Sequence, residues 1–122
     1  MRLVLDTDPE ILTVRRYAPG EIEIGGAVLR RPCIISPKRL ISDWPVTSVA
    51  ALEMAQLEVL LAFKPAIVIL GSDVAAARAP PTLRRQLEAR GIALEVMNLG
   101  AACRTYNVLA QELRLVVAGL LP

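Results

Sequence analysis

The chain has 122 residues, of which 54% are apolar, and it carries 14 Lys and Arg against 12 Asp and Glu. This length suits one domain with a substantial core, while no apolar run approaches the roughly 18 residues of a membrane-spanning helix. A net charge of +2 with scattered Arg residues argues against nucleic-acid binding. The chain has no His, the usual general base and commonest zinc ligand, so we expect no metal and no cofactor.

The start of the chain and its two cysteines bear on the cellular compartment. The apolar stretch within residues 1–6 is too short for a secretory signal, and the acidic residues around Pro9 are expected to be solvated. Cys33 and Cys103 could in principle pair, but nothing in the sequence indicates an oxidising compartment. We therefore expect a cytoplasmic protein with free thiols.

The first part of the chain predicts antiparallel hairpins. Apolar and polar residues alternate in 11–17 and 21–24, and Gly25-Gly26 then closes a hairpin onto residues 27–31. A two-residue loop at these glycines sets the cross-strand pairs, namely Ile24 with Ala27, Ile22 with Leu29, and Glu21 with Arg30. Residues 32–36 predict a further apolar strand.

The middle of the chain predicts a loop and then a helix. The only Trp, Trp44, precedes a Pro, which favours a packed anchor, although a Trp in a loop can also cover a pocket. A helix is predicted from 48 to 64, where the following Pro65 prevents its continuation. Because this helix is apolar almost all round, we expect it to be buried on more than one side.

The second half predicts a compact unit of strand, helix, strand and helix. The run 66–70 is continuously apolar, as in a strand covered on both faces. It is followed by a helix over 80–90, a strand over 92–97 and a last helix over 101–121, which implies a right-handed crossover with parallel strands. The sequence thus predicts a single three-layer α/β domain over residues 1–122, in which N-terminal antiparallel β-hairpins pack with a βαβα unit to give a mixed sheet flanked by helices.

The carboxyl ends of the two predicted parallel strands define one candidate binding cleft, formed by the loops 71–73 and 97–104. Its candidate residues are Gly71, Ser72, Asp73, Asn98, Cys103 and Arg104. Free amides at a helix start together with an Arg can bind an anion. The simpler interpretation, which we favour, is that the polar side chains cap their own segments.

Cys103 is the one conventional nucleophile near this cleft. A helix N-terminus and the adjacent Arg104 would lower the pKa of its thiol, whereas burial on the apolar arc of the helix would raise it. With no His to act as a base, we expect a structural cysteine and no catalytic residue.

The last helix is also expected to carry a polar stripe. On a helix over 101–121, several polar residues fall away from the apolar arc, and we predict that they form a structural network, namely Arg104, Asn107, Glu112 and Arg114.

The order of elements resembles a small α/β (MTH-type) family of mostly unassigned function. The resemblance depends on Asn98, on the run Ala-Ala-Cys-Arg-Thr-Tyr-Asn over 101–107, and on Glu112 and Arg114. This family includes the mitochondrial complex I (NADH:ubiquinone oxidoreductase) assembly factor 3 and an adipogenesis-associated relative. The resemblance implies a three-layer α/β fold and, for the mitochondrial members, a non-enzymatic role in building a larger complex.

These observations lead to two functional hypotheses. The first is a soluble, non-enzymatic interaction or assembly-type domain with an unidentified protein partner, which also self-associates through the apolar helix 48–64 or another apolar patch. The second is a small-molecule or anion-binding protein, or an enzyme, that uses the cleft at 71–73 and 97–104 with Cys103 or Asp73 as its active group.

Overall fold

The computed structural model describes residues 11–122, so the acidic residues around Pro9 lie outside the described part of the chain. The strands in this part are β1 (Val14–Ala18), β2 (Glu21–Ile24), β3 (Ala27–Leu29), β4 (Cys33–Ile35), β5 (Leu40–Ile41), β6 (Ile67–Ser72), β7 (Ala93–Met97) and β8 (Val116–Leu121). The helices are α1 (Met54–Leu61), α2 (Pro81–Ala89) and α3 (Leu99–Gln111). None of these helices is long and apolar enough to cross a bilayer.

The strands form two sheets. The small sheet has the order β1-β2-β3 and is antiparallel, while the larger sheet has the order β5-β4-β8-β6-β7. In the larger sheet β6 is parallel to both β7 and β8, and β4 is antiparallel to both β5 and β8. The predicted combination of antiparallel hairpins with a mixed sheet flanked by helices is confirmed.

The register of the second hairpin follows from its two-residue loop. Gly25 and Gly26 both have positive φ, as a tight hairpin turn requires. The predicted pairs of Ile24 with Ala27 and of Ile22 with Leu29 are confirmed. The Arg30 side chain lies 3.4 Å from the Glu21 carboxylate, as the same register predicts.

Residues of the large sheet alternate between two cores. In β6, Val68 and Leu70 pack into one core and Ile69 packs into the other. Helix α3 and the small sheet cover the Ile69 side, whereas α1, α2 and the Trp44 loop cover the opposite side. This alternation gives the three layers, because a pleated strand directs successive side chains to opposite faces.

The predicted last helix over 101–121 is wrong in its second half. Helix α3 ends at Gln111, and residues 116–121 form β8, which lies between β4 and β6 in the large sheet. The helix ends in a Schellman arrangement, in which Leu113 N–H donates to Ala110 O at 3.0 Å and Arg114 N–H donates to Leu109 O at 2.9 Å. The run over 116–121 is apolar throughout and buried on both faces, so its sequence carries no period that separates a helix from a buried strand.

The predicted helix over 48–64 is also too long. Helix α1 begins at Met54, because Glu53 is its N-cap. The backbone N–H of Glu53 donates to Gln56 Oε1 at 2.9 Å. The preceding residues 48–51 form a turn instead, in which the Ser48 hydroxyl accepts from Ala51 N–H at 3.2 Å. The expectation of burial on several sides is not met either, since α1 buries Leu57 and Leu60 on one face only.

Candidate functional site

The loops after β6 and β7 lie side by side, as the parallel topology predicts. The pairing of Gly71 with Met97 brings the two carboxyl ends to the same edge of the sheet. A shallow cleft of about 280 Å³ is present there, and its lining includes Ser72, Asp73 and Asn98. The structure therefore brings together three of the predicted cleft residues.

Each of these three residues accepts a backbone hydrogen bond through one side-chain oxygen. Asn98 is the N-cap of α3, and its Oδ1 accepts from Ala101 N–H at 2.8 Å. Asp73 Oδ1 accepts from Leu99 N–H at 3.1 Å, and Ser72 Oγ accepts from Val74 N–H at 3.2 Å. The amides of Leu99 and Ala101, two of those that could hold an external anion at the start of α3, thus already bind side chains of the protein.

Gly71 lies beneath α3 and does not line this cleft. A Cβ atom at Gly71 would lie 2.5 Å from Ala102 Cβ and 3.2 Å from Leu120 Cδ2. The residue therefore lets the helix approach β6 closely, which places Asn98 and Asp73 near each other.

Both cysteines are buried and free. The pKa of Cys103 is raised to about 11, mainly by burial. The charge of Arg104 opposes this increase, and the charge of Asp73 adds to it. Burial and the nearby Cys103 thiol raise the pKa of Cys33 to about 12. At neutral pH both side chains are therefore protonated thiols, which are poor nucleophiles.

We expect Cys103 to react with a thiol reagent at pH 7.5 at least about 100-fold more slowly in the folded protein than in the unfolded chain. The same difference in pKa makes the free energy of unfolding depend on pH. The unfolded thiol ionises near pH 8.5, whereas the folded thiol remains protonated up to about pH 11, so the free energy of unfolding falls as the pH rises between these values. Labelling rates per cysteine, read by peptide mass spectrometry across pH, provide the measurement. Rapid labelling at neutral pH under native conditions would contradict this expectation.

Arg104 faces the small sheet and not the cleft with Asp73. Its Nη1 donates to the Tyr17 hydroxyl, and its guanidinium carbon lies 5.9 Å from the centroid of the Tyr17 ring. The same ring covers Gly100, where a Cβ atom would lie 2.6 Å from it. Tyr17 therefore joins β1 to the start of α3 through two contacts.

Asn107 and Tyr106 fasten α3 to the segment that leads into β1. The Asn107 amide forms two hydrogen bonds with Val14, because Oδ1 accepts from its N–H and Nδ2 donates to its carbonyl, each at 2.8 Å. The buried Tyr106 hydroxyl donates to Leu12 O at 2.8 Å. These side chains complete backbone hydrogen bonding at the edge of the small sheet.

The four residues of the predicted network do not share one surface. Arg104 and Asn107 both contact β1, whereas Glu112 is the C-cap of α3 and Arg114 lies beyond the end of the helix. The helical stripe assumed for these residues ends at Gln111, so Arg114 belongs to another part of the surface.

We expect Asn107→Ala to lower the free energy of unfolding by about 1–3 kcal/mol, because both backbone groups of the buried Val14 lose their partners. Chemical denaturation followed by circular dichroism measures this change. Val108→Ala is the matched control, since Val108 is the next residue of α3 and is exposed. Equal effects of the two substitutions would contradict the structural role of Asn107.

A concave feature that the sequence did not predict lies at the opposite end of α3. It is an apolar groove of about 390 Å³, formed where the end of α3 meets the segments that follow β4 and α1. Leu113, Arg114 and Leu115 line one part of it, and Lys38 lines another. The signal for this groove was two leucines that flank an arginine, but the predicted long helix placed Leu113 on its buried arc.

The described residues, 11–122, contain no group of three or more Cys, Asp or Glu side chains that could hold a metal ion. The fold and the site together define a small three-layer α/β protein in which Asp73 and Asn98 of the candidate cleft cap the start of α3, and an apolar groove lies at the other end of this helix.

The chain belongs to the family described as Protein of unknown function (DUF498/DUF598), which matches residues 14–121. This confirms the family resemblance. The chain is 35% identical over 113 residues to an uncharacterised protein of Rhodobacter capsulatus, with 91% of this chain and 85% of that protein covered. It is 32% identical over 108 residues to the NADH dehydrogenase [ubiquinone] 1 alpha subcomplex assembly factor 3 of Danio rerio. The matched region covers 87% of this chain but only 62% of that relative.

Solved structures show the same fold. A crystal structure of a Bordetella parapertussis protein superposes with a TM-score of 0.85 at 30% identity, covering 95% of this chain and 99% of that one. A solution structure from Bordetella pertussis, described as a Mth938-like domain, superposes with a TM-score of 0.82 at 26% identity, covering 100% of this chain and 92% of that one.

Proposed function

We propose that this protein is a non-enzymatic interaction protein that assists the assembly of a larger protein complex. The relative in Danio rerio is named as an assembly factor, although this chain spans only 62% of its length. The observation that carries the proposal is the open apolar groove, whose lip exposes Leu113 and Leu115 to solvent. Exposed apolar residues that adjoin an apolar groove form the kind of contiguous surface at which proteins bind partners.

The second hypothesis, a ligand site at the cleft of loops 71–73 and 97–104, ranks below this proposal. Asp73 and Asn98 there accept hydrogen bonds from the first amides of α3, so a ligand would have to displace them. The raised pKa of Cys103 also opposes its use as a nucleophile. We retain a cytoplasmic location, a protein partner and self-association as parts of the first proposal.

Affinity purification tests the proposed function. A tagged copy is expressed in the source organism beside an untagged copy, and the co-purifying proteins are quantified by mass spectrometry. We expect a reproducible set of proteins from one complex, and recovery of the untagged copy would report self-association. Absence of any protein above the control, together with saturable binding of a small anion that Asp73→Asn strengthens by removing a nearby negative charge, would favour the second hypothesis.

A further inference from the structure

The apolar groove at the end of α3 combines two kinds of side chain. Its apolar lining includes Phe63, Leu113 and Leu115, and its two cationic side chains are Lys38 and Arg114. Its volume of about 390 Å³ lies within the range of roughly 300–1,000 Å³ that is usual for binding sites. The groove is therefore large enough for a bulky apolar side chain with charged groups beside it.

Leu113 is in an unfavourable state in two respects. Its φ of +61° is left-handed, at the position of the Schellman arrangement where glycine is usual. The side chain is also 76% exposed, so it gains little from burial in the described part of the chain. Leu115, two residues on, is 64% exposed. A strained and exposed leucine at the lip of a groove points to a contact with another molecule.

The charge of the groove indicates what that molecule carries. Arg114 stands between the two exposed leucines, and Lys38 contributes a second positive charge. The four ion pairs formed among residues 11–122 involve neither Lys38 nor Arg114. An apolar lining with two cations outside these four ion pairs is complementary to a ligand that has a large apolar group and carboxylates.

We propose that this groove docks an acidic segment of a partner protein. One large aliphatic or aromatic side chain of the segment enters the groove, and flanking Asp or Glu side chains contact Lys38 and Arg114. A protein segment fits better than an enclosed small molecule, because the exposed leucines form an open lip that a longer chain can cover. This inference rests on the proposed function and identifies its surface and the chemistry of its partner.

Selection of peptides against the 122-residue chain tests the docking site. A random peptide library is selected against the parent, and affinities of the enriched peptides are then measured by fluorescence anisotropy. We expect peptides that combine a large apolar residue with Asp or Glu. Leu113→Asn should weaken their binding at least tenfold, while Lys38→Gln and Arg114→Gln should each weaken it several-fold and reduce its salt dependence.

The variants separate loss of binding from loss of folding. Asn tolerates the left-handed conformation better than Leu, so Leu113→Asn should unfold at the same or a higher denaturant concentration than the parent. Val108→Asn is the matched control, because Val108 is an exposed residue of α3 that does not line the groove. It should leave peptide binding unchanged.

The proposal is overturned by no enriched peptide, by enriched peptides without acidic residues, or by equal binding of the parent and Leu113→Asn. Binding that appears only when residues 2–10 are deleted would also overturn it, since the chain's own N-terminal segment would then be the occupant. If affinity purification yields a partner that Leu113→Asn still captures, the proposed function stands and only the groove assignment fails.

Discussion

Gly119→Ala is expected to lower the free energy of unfolding by about 3 kcal/mol. Gly119 lies in β8, where it pairs with Ile34 on one side and Leu70 on the other. A Cβ atom there would lie 2.5 Å from Trp44 Cζ3 and 2.8 Å from Cη2 of the same ring. Since the strand lies within the large sheet, the added methyl group cannot move away from the indole.

The indole cannot easily move either. Trp44 is buried, and its Nε1 donates to Gln56 O at 3.2 Å. Trp44→Phe removes the ring atoms nearest to Gly119, so the double variant with Gly119→Ala should be less destabilised than the sum of the two single variants. Urea denaturation of the four proteins measures the coupling. Additive effects, or a Gly119→Ala variant as stable as the parent, would show that the indole does not set the requirement for glycine.

Gly71→Ala is expected to have the second largest effect and to lower the free energy of unfolding by about 2–3 kcal/mol. The new Cβ would lie 2.5 Å from Ala102 Cβ and 3.6 Å from Leu99 Cα, so helix α3 would have to shift outward from β6. The shift would separate Asp73 from the amide of Leu99 and weaken the capping of the helix. Chemical denaturation measures the lost stability, and hydrogen exchange at Leu99 and Ala101 locates it.

The exchanged pair provides the control for this prediction. Gly71→Ala combined with Ala102→Gly keeps one methyl group at the contact, and should recover stability up to the cost of about 1 kcal/mol for glycine within a helix. Ala102→Gly alone should show that smaller cost together with the loss of a buried methyl group. If the exchanged pair is no more stable than Gly71→Ala, close approach of the helix is not the reason for the glycine.

Local signals allowed parts of the fold to be predicted from sequence. Gly25-Gly26 set the hairpin register because a two-residue loop has few backbone solutions. The parallel β6 and β7 followed from the short connections of a strand, helix and strand unit. Strand β8 was missed because an unbroken apolar run fits any period, and its partners β4 and β6 are distant in sequence.

At the candidate sites, too, some contacts follow from the predicted topology, whereas others join residues that are distant in sequence. The meeting of Asp73 with the start of α3 follows from topology, since parallel strands end at one edge of a sheet. The contacts of Arg104 with Tyr17 and of Asn107 with Val14 join residues about 90 positions apart, and no local pattern encodes them. The groove was missed because its lip, Leu113, is exposed only once the helix ends at Gln111.

We expect partner binding to depend on the groove and not on the candidate cleft formed by the loops 71–73 and 97–104. The most direct test is the amount of partner recovered by affinity purification with three variants, each first shown by denaturation to be folded: Leu113→Asn in the groove, Asp73→Asn in the cleft, and Val108→Asn as the surface control. Asp73→Asn keeps an oxygen that can accept from Leu99 N–H while removing the charge. We predict at least tenfold less partner with Leu113→Asn and recovery within twofold of the parent for the other two. Full recovery of the partner with Leu113→Asn and its loss with Asp73→Asn would contradict this expectation and favour the candidate cleft as the binding site.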